Sequence, residues 1–139
     1  MKNAFSPAAS IDADLGVLAA ASAVLPPGLR VFIAEDEAML VWALTDIIED
    51  FGGVVVGTAS RVTEALTFVA NKSFDIAILD GALADGAVDP VVEFLAARKT
   101  PFVIASGCSS ADLKYGACFA VQKPYMESDL KRAMLAALA

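Results

Sequence analysis

The sequence predicts a doubly wound α/β domain: a parallel sheet covered by helices on both faces. Three observations carry this. From Arg30 onward, short and almost wholly apolar runs of strand length recur along the chain. Stretches with apolar residues at helical spacing follow them. Glycine, proline and acidic turn residues punctuate the joins.

The first strand is residues 30–34 (Arg-Val-Phe-Ile-Ala), which runs into Glu35-Asp36-Glu37. Residues 38–51 read as a helix with Leu40, Leu44, Ile47 and Phe51 on one face, ended by Gly52-Gly53. A second strand follows at 54–57, a second helix at 61–71 and a third strand at 75–80. The third helix, 87–98, is entered through the turn pair Asp85-Gly86. Residues 101–105 form a fourth strand. Residues 109–115 offer at most a short, weak helix, because Ser109, Ser110 and Gly116 surround a segment without an apolar stripe. Residues 117–121 are a fifth strand and 127–138 the closing helix. Strands this apolar are expected to be buried on both faces. Right-handed βαβ crossovers then give a flavodoxin-like (βα)5 sheet in the order 2-1-3-4-5.

Residues 1–29 stand apart from this alternation. Ser6-Pro7 is a helix-start signal, Ile11, Leu15, Leu18, Ser22 and Leu25 share one helical face, and Pro26-Pro27-Gly28 makes a linker. The expected organisation is an N-terminal helical extension over 1–29 and one domain over 30–139. The extension reads as a helix packed on the domain, with a dimer or docking helix as the sharper reading. A homodimer is left open.

Composition narrows the chemistry. The 139 residues are one domain's worth, and at 58% hydrophobic they supply ample core. With 10 basic and 17 acidic residues the net charge is −7, which argues against nucleic-acid binding. No histidine is present, which removes Ser–His–Asp chemistry, Cys–His dyads and most catalytic zinc sites. Cys108 and Cys118 form no CxxC pair; Cys108 reads as a small reduced filler, and a cytoplasmic chain is expected. The early apolar stretch is broken by Asp12 and Asp14, so neither an export signal nor a membrane span is expected.

In a sheet of this kind the ligand site lies beyond the carboxyl ends of the strands. Strand one ends in Glu35-Asp36-Glu37, strand three in Asp80, strand four in Ser106-Gly107 and strand five in Gln122-Lys123-Pro124. An acid pair, a lone acid, a hydroxyl and an amine can thus meet in one small volume. Grouped carboxylates repel, and a hard divalent cation such as Mg²⁺ removes the conflict. Asp80 then becomes a plausible nucleophile, with the metal, Lys123 and Ser106 available to the oxygens of a transferring phosphoryl group. Each residue also has a plain structural role open to it. Glu35, Asp36 and Glu37 could be helix N-terminal acids, Asp80 and Ser106 could be turn residues, and Lys123 a solvated lysine. The conjunction, in order and each at a strand end, is what the plain roles leave unexplained.

That order of acid pair, Asp, Ser and Lys-Pro resembles the receiver domain of response regulators over roughly residues 30–139. The resemblance implies a phosphoacceptor switch of two-component signalling. Asp80 would be the phosphoacceptor, Ser106 the switch hydroxyl and Lys123 the phosphate counter-ion. Asp36, Asp80 and the Ala82 backbone carbonyl would ligate Mg²⁺ directly, and Glu35 would act through water. The partner implied is a sensor histidine kinase or a phosphotransfer protein, with output by protein contact or phosphorelay. Enzymatic activity would extend only to self-phosphorylation and slow self-dephosphorylation.

The chain departs from the usual receiver at Ala120, where the family carries an aromatic switch residue; neighbouring Phe119 points to the other strand face. Phe102-Val103-Ile104-Ala105-Ser106-Gly107 and Gln122-Lys123-Pro124-Tyr125 are similar to the FATGUY subgroup of stand-alone regulators, which lacks the aromatic and is associated with HWE-type and related histidine kinases. Trp42 lies on the polar face of its helix, either half-covered by the N-terminal segment or acting as a partner-docking anchor. Two other readings compete with the switch. A pseudo-receiver binding module would never be phosphorylated. A haloacid-dehalogenase-like phosphatase would want an acid at the position of Ala82.

Overall fold

The computed structural model describes residues 25–105, 120–121 and 126–139. The expected helices in 1–24 and at 109–115 lie outside the described residues.

A five-stranded parallel sheet forms the centre. Its strands are β1 (Arg30–Ala34), β2 (Val54–Ala59), β3 (Ile76–Asp80), β6 (Phe102–Ala105) and β7 (Ala120–Val121), in the order β2-β1-β3-β6-β7. Counting only these five, this is the predicted 2-1-3-4-5. The helices are α1 (Ala38–Asp50), α2 (Val62–Asn71), α3 (Asp89–Ala97) and α4 (Glu127–Leu138). A two-stranded antiparallel hairpin, β4 (Ala82–Leu83) and β5 (Gly86–Ala87), stands between β3 and α3. Ala87 therefore belongs to a strand rather than to the third helix. The expected turn at Asp85-Gly86 is there, and Gly86 holds φ +144, but two-residue strands are too short to show alternation.

Strand alternation sorts the core onto two faces. Val31, Ile33, Ile76, Ile78, Val103 and Ala105 join Leu44 and Ile48 of α1 and Leu130 and Met134 of α4 in one cluster. Phe32, Ala34, Ala77, Leu79 and Ile104 join Ala65 and Val69 of α2 and Val91, Val92 and Leu95 of α3 in the other. Leu25 and Leu29, ahead of β1, are buried in the first cluster. The buried stripe of α1 is Leu44 and Ile48, whereas Leu40, Ile47 and Phe51 are half-buried. Burial on both faces holds for β1, β3 and β6 but not for β2, which is an edge strand and alternates between exposed and half-buried residues up to the buried Ala59 at its end.

β2 also carries the tightest packing constraint. The β1–β2 register shifts between Val31 and Phe32, so that Phe32 pairs with Gly57. The Phe68 ring of α2 stacks on Phe32 with centroids 4.4 Å apart and planes 8° from parallel, and Phe74 flanks both rings. A Cβ on Gly57 would overlap Cε2 and Cζ of Phe68. The glycine is there because the ring occupies the space of a side chain. Gly57→Ala is expected to destabilise the fold by roughly 1–3 kcal/mol, as overpacking does. Combining it with Phe68→Leu should recover part of the loss in denaturant melts.

Two helices end in the same way with different residues. After α1, the Gly52 and Gly53 N–H groups donate to the Glu49 and Ile48 carbonyls, with Gly52 at φ +88. After α3, Lys99 and Thr100 make the equivalent bonds to Ala96 and Leu95, with Lys99 at φ 57. Both are Schellman endings, whose left-handed position suits glycine. A side chain there costs about 1–2 kcal/mol, partly offset by the unfolded-state entropy of glycine. Lys99→Gly should therefore stabilise by about 0.5–1 kcal/mol and raise Tm by a few degrees; an unchanged or lowered Tm would refute the assignment.

Candidate functional site

The two central strands bring the acids together. β1 pairs with β3 in parallel, with Ala34 opposite Leu79, so the residues that follow, Glu35 and Asp80, meet at the same edge of the sheet. The Glu35 N–H donates to the Ala59 carbonyl at 2.9 Å, extending the β1–β2 ladder by one step. Glu35 is 2% exposed and Asp80 8%. Asp36 is exposed. One carboxylate oxygen from each of Glu35, Asp36 and Asp80 lies within 4.8 Å of the others. Oε2 of Glu35 also accepts the Glu37 N–H at 3.2 Å. Glu37 is the N-cap of α1 without a side-chain capping bond, and its carbonyl accepts from Leu40 and Val41.

Three carboxylates so close repel one another by on the order of 3 kcal/mol per ionised pair at an effective dielectric of about 20. The donors are all hard oxygens, two of them nearly buried. Such a set fits a small divalent cation that retains several waters. A groove of about 290 Å³ opens beside it, lined by Glu35, Asp36, Val41, Trp42, Thr58 and Ser60 among others. Trp42 is 76% exposed and Met39, one turn before it, 83%. The sequence reading of Trp42 as a residue outside the core holds; its cover by the N-terminal segment lies outside the described residues.

Asp80 pairs in register with Ala105 of β6, and Ala105 with Val121 of β7. The next residue after Ala105 is Ser106, and Lys123 is two positions after Val121. Ser106 and Lys123, with Cys108, Phe119 and the Lys123–Pro124 peptide, lie outside the described residues. Ala120 begins β7 and pairs with Ile104.

The loop that leaves Asp80 is held by bonds that sequence reasoning missed. The Val88 N–H donates to the Gly81 carbonyl at 3.0 Å and closes the base of the hairpin containing Ala82. The Ala84 N–H donates to the Ser60 carbonyl at 3.1 Å. Asp85 accepts the Val62 N–H on Oδ1, and the N–H and hydroxyl of Thr63 on Oδ2 at 3.3 and 3.4 Å. It thus caps α2 from another loop, while Arg61, the N-cap residue itself, makes no side-chain capping bond. The bond from Val62 is foremost in holding the Asp85 carboxyl below its ordinary value. The only local sequence signal was the Asp-Gly turn; the partner loop lies 23 residues upstream.

At the opposite end of the sheet, Arg30 and Asp75 form a two-point ion pair, Nη2–Oδ1 3.1 Å and Nε–Oδ2 3.3 Å, and the Arg30 N–H donates to Oδ2 at 2.8 Å. The Arg30 side chain, above all, holds the Asp75 carboxyl below the usual carboxylate range.

Among the described residues no helix is long and apolar enough to cross a membrane. No family model matches the chain. It is 32% identical over 108 residues to the transcriptional regulatory protein PdtaR of Mycobacterium tuberculosis, a match covering 73% of this chain and 52% of that protein. The chain thus spans about half the length of the curated relatives it matches. Among solved structures it is similar to SdrG from Sphingomonas melonis Fr1, at 36% identity and TM-score 0.68, covering 82% of this chain and 98% of that one. A BeF3-activated conformation of SdrG, from Pseudomonas melonis Fr1, matches at 34% identity and TM-score 0.66, covering 83% and 100%. The response-regulator REC domain of Erythrobacter litoralis PhyR matches at 25% identity and TM-score 0.67, covering 81% and 91%. With the receiver topology, the acid cluster at the ends of its first and third strands and these relatives in agreement, the chain belongs to the response-regulator receiver domain family.

Proposed function

We propose that the chain is a phosphoacceptor switch in which Asp80 takes a phosphoryl group from a phosphohistidine of a sensor histidine kinase or phosphotransfer protein. The observation that carries this reading is the convergence of Glu35, Asp36 and Asp80 at the carboxyl edge of β1 and β3. The existence of a BeF3-activated conformation in a relative at 34% identity supports it.

Asp36, Asp80 and the Ala82 carbonyl would hold Mg²⁺, with Glu35 acting through water. When bound, the ion offsets the negative charge that gathers as two anionic groups approach. An Asp80 carboxylate oxygen attacks phosphorus, the P–N bond of the donor breaks, and the imidazole leaves and takes up a proton. Asp80 is well placed for this, because the packed strand on which it sits limits its freedom and its low exposure thins the water around it. Ser106 is assigned the switch hydroxyl and Lys123 the counter-ion to the phosphoryl group. Output goes through protein contacts or onward relay. Trp42, exposed at the rim of the groove, is assigned to partner docking, and HWE-type kinases are the class of partner to try first.

Incubation with Mg²⁺ and a small donor such as acetyl phosphate should give a single phosphoryl adduct by intact mass, labile to base and hydroxylamine. Asp80→Asn should give none. A wild-type chain that takes no adduct from small donors or from any kinase would overturn the reading.

Metal binding is checked separately. At ten times its Kd, Mg²⁺ should stabilise the wild type by about 1.4 kcal/mol, seen as a Tm several degrees higher. Asp36→Asn should lose most of that shift and, without metal, melt above the wild type because one repelling charge is gone. A Tm that Mg²⁺ leaves unmoved in the wild type would sink the metal site.

A further inference from the structure

We propose that Asp85 is a positioning residue for the phosphoacceptor site: by pinning the loop that follows Asp80 to the N-terminus of α2, it sets the place of the Ala82 carbonyl, which the proposed function assigns to the metal. The inference rests on the proposed phosphoacceptor function and adds a residue to it.

The loop from Gly81 to Val88 leaves directly from Asp80 and has few means of holding a shape. Its two strands are two residues each. Its own internal ties are the Ala82–Ala87 and Leu83–Gly86 pairing and the Val88–Gly81 bond. Leu83 and Val88 anchor it in the α2–α3 side of the core, at 6% and 3% exposure. These contacts fix the stem. They leave the hairpin free to tilt about it, carrying Ala82 along.

Asp85 supplies the missing constraint at the far end of the hairpin. Its two oxygens take the first two N–H groups of α2, from Val62 and Thr63, and the adjacent Ala84 N–H reaches the Ser60 carbonyl. With the Thr63 hydroxyl on Oδ2, four bonds thus join the turn to residues 60–63. That second loop is itself stiff, because Oε1 of Glu64 accepts both the N–H and the hydroxyl of Ser60, at 3.1 and 3.2 Å. Ser60 also lines the groove beside Glu35 and Asp36. The turn is therefore referenced to the wall of the acid site itself. A negative group at a helix N-terminus is favoured by the helix dipole, so the tie is strongest with Asp85 ionised, and its carboxyl is held below its ordinary value by these same bonds.

Groups that orient a metal's ligands commonly govern affinity by 10–100-fold. Asp85→Ala should weaken Mg²⁺ binding by about tenfold, read by Trp42 fluorescence at a temperature where circular dichroism shows every variant folded. Asp85→Asn, which keeps an oxygen for the Val62 N–H, should restore most of the affinity. Asp75→Ala removes the ion pair at the other end of the sheet and should leave affinity unchanged. Amide exchange without metal reads the brace directly: exchange at Val62, Thr63 and Ala84 should rise in Asp85→Ala. Unchanged exchange there overturns the proposal. So does raised exchange with wild-type Mg²⁺ affinity, or an equal loss of affinity in Asp75→Ala, which would make the effect one of general stability. A wild type that shows the exchange pattern but binds no Mg²⁺ and takes no phosphoryl group would instead refute the phosphoacceptor reading, and the positioning role with it.

Discussion

The parallel pairing of β1 with β3 sets the terms for the rest of the molecule. It forces Glu35 and Asp80, each at the end of a fully covered strand, to share one edge of the sheet with little water around them. Two nearly buried carboxylates side by side are unfavourable in the absence of a cation. The surrounding strands hold the arrangement in place: β3 lies between β1 and β6, and its residues are buried from Ile76 to Asp80. A one-residue slip of β3 would turn Ile78 and Leu79 to the wrong faces and dissolve both core clusters.

This coupling of core and site explains what was legible in the sequence. β1, β3 and β6 could be read as strands because burial on both faces demands continuous apolar runs, and their ends could be read because acids interrupt those runs. Glu35, Asp36 and Asp80 came together as expected because a strand end in a parallel sheet is a fixed place. The features that sequence reading missed depend on contacts between distant loops. Asp85 looks like an ordinary Asp-Gly turn; its capping of α2 is visible only once residues 60–63 are brought beside it. The β4–β5 hairpin is too short for any periodicity. Edge position explains why β2 alternates, and the choice of Ile48 over Phe51 for the interior of α1 follows from how that helix lies on the sheet. Helical spacing alone defines the stripe to within about one position.

Several structural ties sit at the end of the sheet opposite the acid cluster. The Arg30–Asp75 pair, the Schellman ending of α1 with Gly52 and Gly53, and the buried Leu25 and Leu29 all sit toward the amino ends of the strands. The Phe32–Phe68–Phe74 stack locks α2 onto the sheet between the two ends. At the carboxyl end the described acids Glu35, Asp36 and Asp80 stand close together, and the loops that follow the strands are tied to one another around them. That asymmetry is expected of an open α/β sheet, whose crossovers return at one end and leave the loops at the other end free to specialise.

The same asymmetry bears on how a change at Asp80 could be reported. The residue at the usual aromatic switch position is Ala120, and an alanine has no ring to swing between an inner and an outer place. A signal passed through the β6–β7 side would therefore need a different carrier there. On the other side of Asp80 the connections are explicit: the backbone runs from Asp80 into Gly81 and Ala82, the hairpin is tied through Ala84 and Asp85 to residues 60–63, and Ser60 shares a groove with Asp36 and the exposed Trp42. On the proposed function, added charge at Asp80 would act on these directional hydrogen bonds rather than on a rotamer. Among the described residues, the β3–α3 loop is thus the segment that ties the surroundings of Asp80 to the face that carries Met39 and Trp42.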